Sequence, residues 1–485
     1  MLVCAGSARA GQVWVEVGDG RMRSDLELLA DAGKIDLPLT DWPIPVADVD
    51  RVVGRLNPDT LDSPALREAL VRIQRAIEPT SKTYLHPVSY GVAAGEPGLL
   101  RDFDTPAREK GDVSVYMGAY GDRWAAELNL AYAFDPRDGQ PVRLDGSNIT
   151  ARLGNWLWSF NTLDKWWGPS YATSLILSNN ARPMPALQLE NATSAPINFP
   201  ILRWLGPWRF NMYFALAEGE RPDVDNSLFF GNRFTFRPLS FFEIGLSRAA
   251  QFCGDGRPCN LKVLRNVLIG NYTVEYTGEE SKPGHAQGGY EARLNSPWRA
   301  IPLVAYYQAI GNDQINHLPA RLMKQVGGES WLTLRNGDVL RATFDYTDST
   351  CEAFRDPPMF YNQTTPCAYQ NSVFFAGYRY RGLNIAATAD ASSILRTAAL
   401  RWVRTSGEEW QLKFQSGHFN RGSVPMPYDL VSGSGSSLYD SFQVQYRRAL
   451  FKGEVVVQLG GERQQPPLAI ADGRVFGYVS WHKSL

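Results

Sequence analysis

The residues best suited to do chemistry in this chain are aromatic and cationic. Trp156, Trp158, Trp166 and Trp167 fall close together, and Trp208 follows. Flat indole rings can cover the apolar face of a sugar. The competing use of the same rings is an aromatic girdle at a membrane interface, or packing inside a loop plug. Asp164, Asn179 and Asn180 lie in the same stretch and add short polar side chains. Arg182, Arg203, Arg248 and Arg257 present guanidinium forks that match the carboxylates of an acidic polysaccharide. The alternative is that these arginines are neutralised internally by carboxylates such as Asp164 or Glu243.

Signs of catalysis are few. Glycoside hydrolysis needs two positioned carboxylates. Asp164 and Glu190 are one conceivable pair, but no local motif marks them out. His86, His285, His317, His418 and His482 are scattered, and the sequence holds no HExxH, GxSxG or phosphate-binding loop. No catalytic role, cofactor or metal is therefore expected. Cys253 and Cys259 share a short polar loop, and Cys351 and Cys367 bracket a second. Two local pairs suit loop disulfides in an oxidising compartment. Cys4 is left over near the start.

The elements that must hold these residues are mostly strands. The 485 residues are 44% hydrophobic and 20% charged, with 12% aromatic. Lys+Arg total 49 against Asp+Glu 50, which leaves no basic field for nucleic acid. No stretch reaches the roughly 18 uncharged apolar residues of a transmembrane helix, whereas barrel strands need only about 9–11 alternating ones. Residues 1–10 end in Ala8-Arg9-Ala10 and read as a signal-peptide remnant. Residues 11–111 form an N-terminal helical region. One apolar stripe lies in Asp48–Leu56. A second helix begins at Ser63 and Pro64 and carries Leu66, Ala69, Leu70, Ile73 and Ile77. From residue 112 to 485 the period becomes two. Segments of this kind include Trp124–Phe134, Arg209–Ala217, Tyr272–Tyr276, Val373–Tyr380 and Glu454–Leu459, and Asn336-Gly337 marks a hairpin. Their charged residues, among them Glu127, Arg233, Glu243, Arg379 and Arg447, face either water or a barrel lumen. At roughly 20 residues per spanning strand and turn, this length accommodates about 18 strands. The fold class expected is an all-β transmembrane barrel, antiparallel, with a small helical unit in front.

The middle of the chain carries a recognisable pattern. Asp164-Lys165-Trp166-Trp167-Gly168-Pro169 leads to Ser174–Pro183, SLILSNNARP; Arg203–Trp208 and Glu243–Arg248 follow, and Gly33–Pro45 precedes. This resembles the Wzi family of capsule-assembly proteins over most of the chain. Lys165 stands where an Arg is more usual, Ser170 where a Gly is, and Glu291 where an Asp is. The resemblance implies a lectin of the Gram-negative outer membrane, with about eighteen strands, the helical unit on the periplasmic side, and extracellular loops that plug the outer mouth. It implies capsular polysaccharide or exopolysaccharide as partner. Outer-membrane lipid and lipopolysaccharide would surround the wall, and other export components could dock below. An open channel is the second reading and a secreted glycoside hydrolase the third.

Overall fold

In a computed structural model, residues 12–78, 86–106, 108–271, 284–298, 301–315, 318–351, 368–370, 373–421, 436–465 and 472–484 are described. Eighteen antiparallel strands close into one barrel. His86–Gly95 is the first and Asp472–Ser484 the last. They pair with each other, Tyr478 opposite Gly95 and Lys483 opposite Tyr90, which leaves the sheet no free edge. The barrel thus starts before residue 112, inside the stretch expected to be helical. Val373–Tyr380 is a second correction. Only Arg379–Tyr380 is extended there, paired with Leu383–Asn384 away from the wall. Its alternation came from packing of a folded loop, which period-two reading does not separate from a strand. Tyr272–Tyr276 and residues 1–10 lie outside the described residues.

Side-chain alternation has the same sense over most of the wall. In Glu409–Phe419, Glu409, Gln411, Lys413 and Gln415 are buried while Trp410, Leu412 and Phe414 are exposed. Polar residues face the lumen and apolar ones the outside, the pattern of a wall immersed in hydrocarbon. At Asn336-Gly337 the chain turns between Leu318–Thr333 and Val339–Asp348, and Gly337 takes the φ of 89° that the turn requires.

The two mouths differ. At one end the connections are mostly short, as at 121–123, 154–155, 240–241, 404–408 and 451–452; at the other they are long, as at 96–110, 162–185, 253–284 and 349–393. Helices α1 (Gly20–Asp31), α2 (Val46–Val53) and α3 (Pro64–Ala76) fill the short-turn mouth. The periodicity anticipates α2 and α3. Helix α1 escapes it because most of its positions, charged ones included, are buried. Asp19 caps α1 by accepting from the Met22 amide at 3.0 Å. Pro64 opens α3 as expected, but the Ser63 side chain makes no capping bond. Leu26, Leu29, Val49, Ala69, Leu70 and Ile73 close a small core between them.

Charge fixes this unit in the lumen. Arg23 of α1 pairs with Glu27 at 2.9 Å. Glu27 also meets Arg341 of the wall at 3.3 Å, and Arg341 pairs with Glu329 of the neighbouring strand at 2.6 Å. Arg293 takes Asp31 at the end of α1 in a two-bonded fork, 2.8 and 3.0 Å. The segment after α1 is held the same way. Glu243 accepts from the amides of Leu39 and Thr40, and Arg209 donates to the carbonyls of Asp41 and Pro43. From the other mouth, loops 96–110 and 162–185 descend to meet it. Trp42, Phe103, Trp166 and Tyr171 stack edge to face at 5.2–5.9 Å. At Gly20 a Cβ would lie 2.4 Å from Asp104 Oδ2 and 2.6 Å from Arg401 Nη2. The lumen is plugged from both sides.

This network sets two expectations. Burial alone would raise the Glu27 carboxyl, but Arg23, Arg341 and Arg293 overcome it and hold it at about 2. A folded value below the ordinary carboxylate range gives stabilisation that is full above about pH 4 and lost as pH falls toward 2. Protease cleavage of the helical unit, followed against pH, should rise only below about pH 4. Arg341→Met leaves Glu27 and Glu329 without a shared partner and should cost about 3–5 kcal/mol. The measurement is single-channel conductance: the variant should show openings that the parent lacks.

Candidate functional site

The site is built from four loops at the long-loop mouth. Segments 97–106, 108–109, 137–138, 180–182 and 380–383 line a partly open cleft whose enclosed space, about 30 Å³, has room for water, so a larger ligand would lie across its mouth. Tyr380 and Leu383 give it an apolar side, and Arg101, Arg108, Arg137, Arg182 and Arg381 a cationic one. A second cleft with about 30 Å³ of enclosed space shares Arg182 and is lined by Asp164, Lys165, Ser178 and Tyr213.

Each loop is held from below. Ser178 donates to the Ala386 carbonyl, and its amide to the Ile385 carbonyl at 2.8 Å. Asn180 donates to the Asn384 carbonyl at 2.8 Å and accepts from Thr388 at 3.3 Å. Asn179 donates to the Phe103 carbonyl at 3.2 Å. These bonds tie 178–180 to both 103 and 384–388, so three loops move as one body. Leu175, Ile176, Leu177, Tyr369, Tyr378 and Ile385 pack beneath them as a buried floor.

The electrostatics lean positive. Arg182 grips Asp145 with two bonds of 2.8 Å and Asp138 with one of 2.6 Å. Arg108 meets Asp164 at 2.6 Å, and Arg143 meets Glu109 at 2.8 Å. Arg381 stands 3.9 Å from Asp138. The cleft is lined by five guanidiniums, Arg101, Arg108, Arg137, Arg182 and Arg381, and two carboxylates, Glu109 and Asp138, with Asp102, Asp145, Asp164 and Glu218 close behind. Arg101 feels the imbalance. Burial, then the neighbouring Arg108, draws its pKa down to about 9, and it donates to the carbonyls of Asn179 and Thr105. At Asp138 burial works upward, but the bond from Arg182 and the charges around it hold the carboxyl below its ordinary value.

Asp164, Asn179, Asn180 and Arg182 therefore converge at the mouth, and the other expected sugar contacts do not. Trp156, Trp158 and Trp208 lie on the outer wall, with Trp156 edge-on to Trp208 at 6.4 Å. Trp124, Trp402, Trp410 and Trp481 share that face, all near the short-turn rim. This is a girdle, the competing use weighed for these rings. Trp166 and Trp167 are fully buried, paired with Trp42 and Asp41 where the plug meets the helical unit. Arg203 sits in a short turn, 203–205, at the opposite rim. Arg248 faces outward from the wall strand Phe242–Phe252, and Arg257 lies in the loop that follows it. Cys253 and Cys259 are joined there as expected. Cys351 is disulfide-bonded, and Cys367 lies outside the described residues. Asp164 and Glu190 do not act as a pair. Glu190 is bound within the wall to Trp14 and Arg209, while Asp164 meets Arg108. Sequence reading missed Arg101, Arg108, Arg137, Tyr380 and Arg381. The first two lay in the region assigned to the helical unit, although their alternation with Asp102, Asp104 and Glu109 was visible.

The burial of Trp166 has a consequence for mutagenesis. Trp166→Ala should destabilise the plug by about 3–5 kcal/mol through the cavity it leaves, which a lowered thermal midpoint would register. Trp158→Ala, on the outer wall, should leave ligand binding unchanged, because its ring faces the membrane and not the cleft.

Comparison with known proteins agrees with this architecture. Residues 80–466 match the family described as capsule assembly protein Wzi. A Klebsiella pneumoniae protein, described as an uncharacterized 55.8 kDa protein in the cps region, is 26% identical over 319 residues; the match covers 65% of this chain and 62% of that one, so less than two thirds of the relative is spanned. A solved structure of Wzi from Escherichia coli, described as an outer membrane protein involved in group 1 capsule assembly and as a carbohydrate binding β-barrel, superposes with a TM-score of 0.83 at 20% identity, covering 98% of this chain and 100% of that one. The chain belongs to the Wzi family of capsule-assembly proteins, and its closed barrel, apolar outside and charged within, is an outer-membrane barrel.

Proposed function

We propose that this barrel holds surface polysaccharide, capsular or exopolysaccharide, across the arginine-lined cleft at its long-loop mouth, without cleaving it. In outer-membrane barrels the short turns are periplasmic and the long loops extracellular. That orientation puts the cleft outside the cell and the helical unit in the periplasm, where it is available to other export components. The observation that carries the reading is the set of five guanidiniums and two carboxylates that line one mouth cleft. Such an excess suits a ligand with carboxylates of its own. Tyr380 offers a ring for the apolar face of a sugar.

Two further observations favour retention over passage or hydrolysis. The lumen is filled from both mouths, which disfavours an open channel. The carboxylates around the cleft are engaged by arginines, and Asp138 is held low. A general acid needs the opposite, a carboxyl raised to stay protonated.

The test is titration of the detergent-purified protein with the producing strain's own polysaccharide, with conductance recorded on the same sample. Arg137→Gln with Arg381→Gln removes two cations that do not anchor the plug. It should weaken binding about tenfold and flatten its salt dependence, with the thermal midpoint unchanged. Binding that is undiminished in this variant would place the ligand elsewhere. Ion conductance without binding would make the protein a channel.

A further inference from the structure

One element lies outside the barrel altogether. Helix α4 (Leu261–Ile269) follows the disulfide loop 253–259 and starts at Asn260, whose side chain accepts from the amides of Lys262 and Val263. It packs against the outer face of the wall. Phe230, Ala250 and Phe252 point outward from their strands, as the inward Arg233, Ser247 and Gln251 require, yet they are buried. Val263 and Val267 cover them, with Phe214 and Met212 at the margin. Arg248, also outward, donates to the carbonyls of Val267 and Leu268 at 2.7 Å and so ends the helix on the wall. The next outward residue down that strand, Leu246, is exposed on the apolar belt.

The free side of α4 is not built for water. Leu261 is 83% exposed, Ile269 63% and Leu268 43%. Lys262 and Arg265 are exposed between them, three residues apart and hence on the same side. A helix whose exposed side sets two cations among large apolar residues, attached to a lipid-facing wall, has the form of an element lying in the membrane interface. It stands at the long-loop end, where the belt of the barrel stops.

We propose that α4 is a lipid-contact element: Leu261, Leu268 and Ile269 enter the acyl region of the adjoining leaflet, and Lys262 and Arg265 pair with the phosphates of a glycolipid headgroup. The occupant is argued from two features, continuity with the lipid-facing wall and the two cations exposed among large apolar residues at the long-loop end. The proposal rests on the barrel's residence in the outer membrane and not on polysaccharide binding.

The experiment is native mass spectrometry of the full-length protein in detergent, titrated with bisphosphorylated lipid A and, separately, with its dephosphorylated form. The parent should retain the phosphorylated lipid. Lys262→Ser with Arg265→Ser should bind it about thirtyfold more weakly, roughly fivefold for each cation. Lys262→Arg with Arg265→Lys should restore binding, since charge alone is required. Heat-modifiable gel mobility reports that each barrel is folded, and polysaccharide titration should not change. Equal retention of lipid A by the parent and the double serine variant would overturn the proposal, as would equal retention of the phosphorylated and dephosphorylated lipids by the parent.

Discussion

The structure depends on how charge is neutralised inside the barrel. A wall whose outside sits in hydrocarbon must put its polar residues on the inside. Arg209, Arg233, Arg293, Glu329, Arg341, Arg401 and Glu409 therefore all point at one axis. An ion without a partner in such a space is costly by several kcal/mol. Some partners stand on neighbouring strands, as Glu329 does for Arg341 and Glu190 for Arg209, and others come from a separate part of the chain. Glu27 and Asp31 of α1 answer Arg341 and Arg293, Asp104 answers Arg401, and Asp102 answers Lys413. The plug is therefore part of the electrostatic closure of the wall and adds carboxylates to arginines that the wall itself only partly neutralises.

The same constraint explains what was legible in the sequence and what was not. Barrel strands could be read because hydrocarbon outside and polar groups inside impose a period of two. The Asn336-Gly337 hairpin could be read because its turn demands a particular backbone. The first strand, His86–Gly95, was passed over because glycine, alanine and proline blur its alternation. Val373–Tyr380 misled for the converse reason. A loop folded within the lumen alternates between neighbours with no sheet at all. Helix α1 failed the amphipathic test because both of its faces are buried, one against the helical core and the other against charged groups of the wall.

The candidate site was half visible, and the divide has a physical cause. Asp164, Asn179, Asn180 and Arg182 belong to one continuous motif, so a single stretch of sequence locates them together. Arg101, Arg137, Tyr380 and Arg381 come from three other loops, and only closure of the barrel brings them to the same mouth. The tryptophans are a different problem. An indole at a membrane rim, one inside a plug and one against a sugar look alike in sequence, because all three settings favour a large ring with one polar atom. Trp158 and Trp166 are eight positions apart and occupy the first two settings.

Filling the lumen also bears on how a mouth cleft can bind. Loops of this length, left free, would have to be ordered by each ligand, and the entropy of ordering would be subtracted from affinity. Here Ser178, Asn179 and Asn180 are bonded to the neighbouring loops, and the loops in turn are bonded to a plug that the wall's own charges hold in place. The guanidiniums of the cleft are thus positioned before any ligand arrives. That rigidity has a direct electrostatic corollary. Arg182 cannot swing away from Asp138 and Asp145, so the cations with room to reach a ligand are those at the edge, Arg137 and Arg381. A long repeating polymer held by a few such edge contacts per barrel binds weakly at each one. On the proposed reading, many barrels along one chain would retain such a polymer by effective concentration.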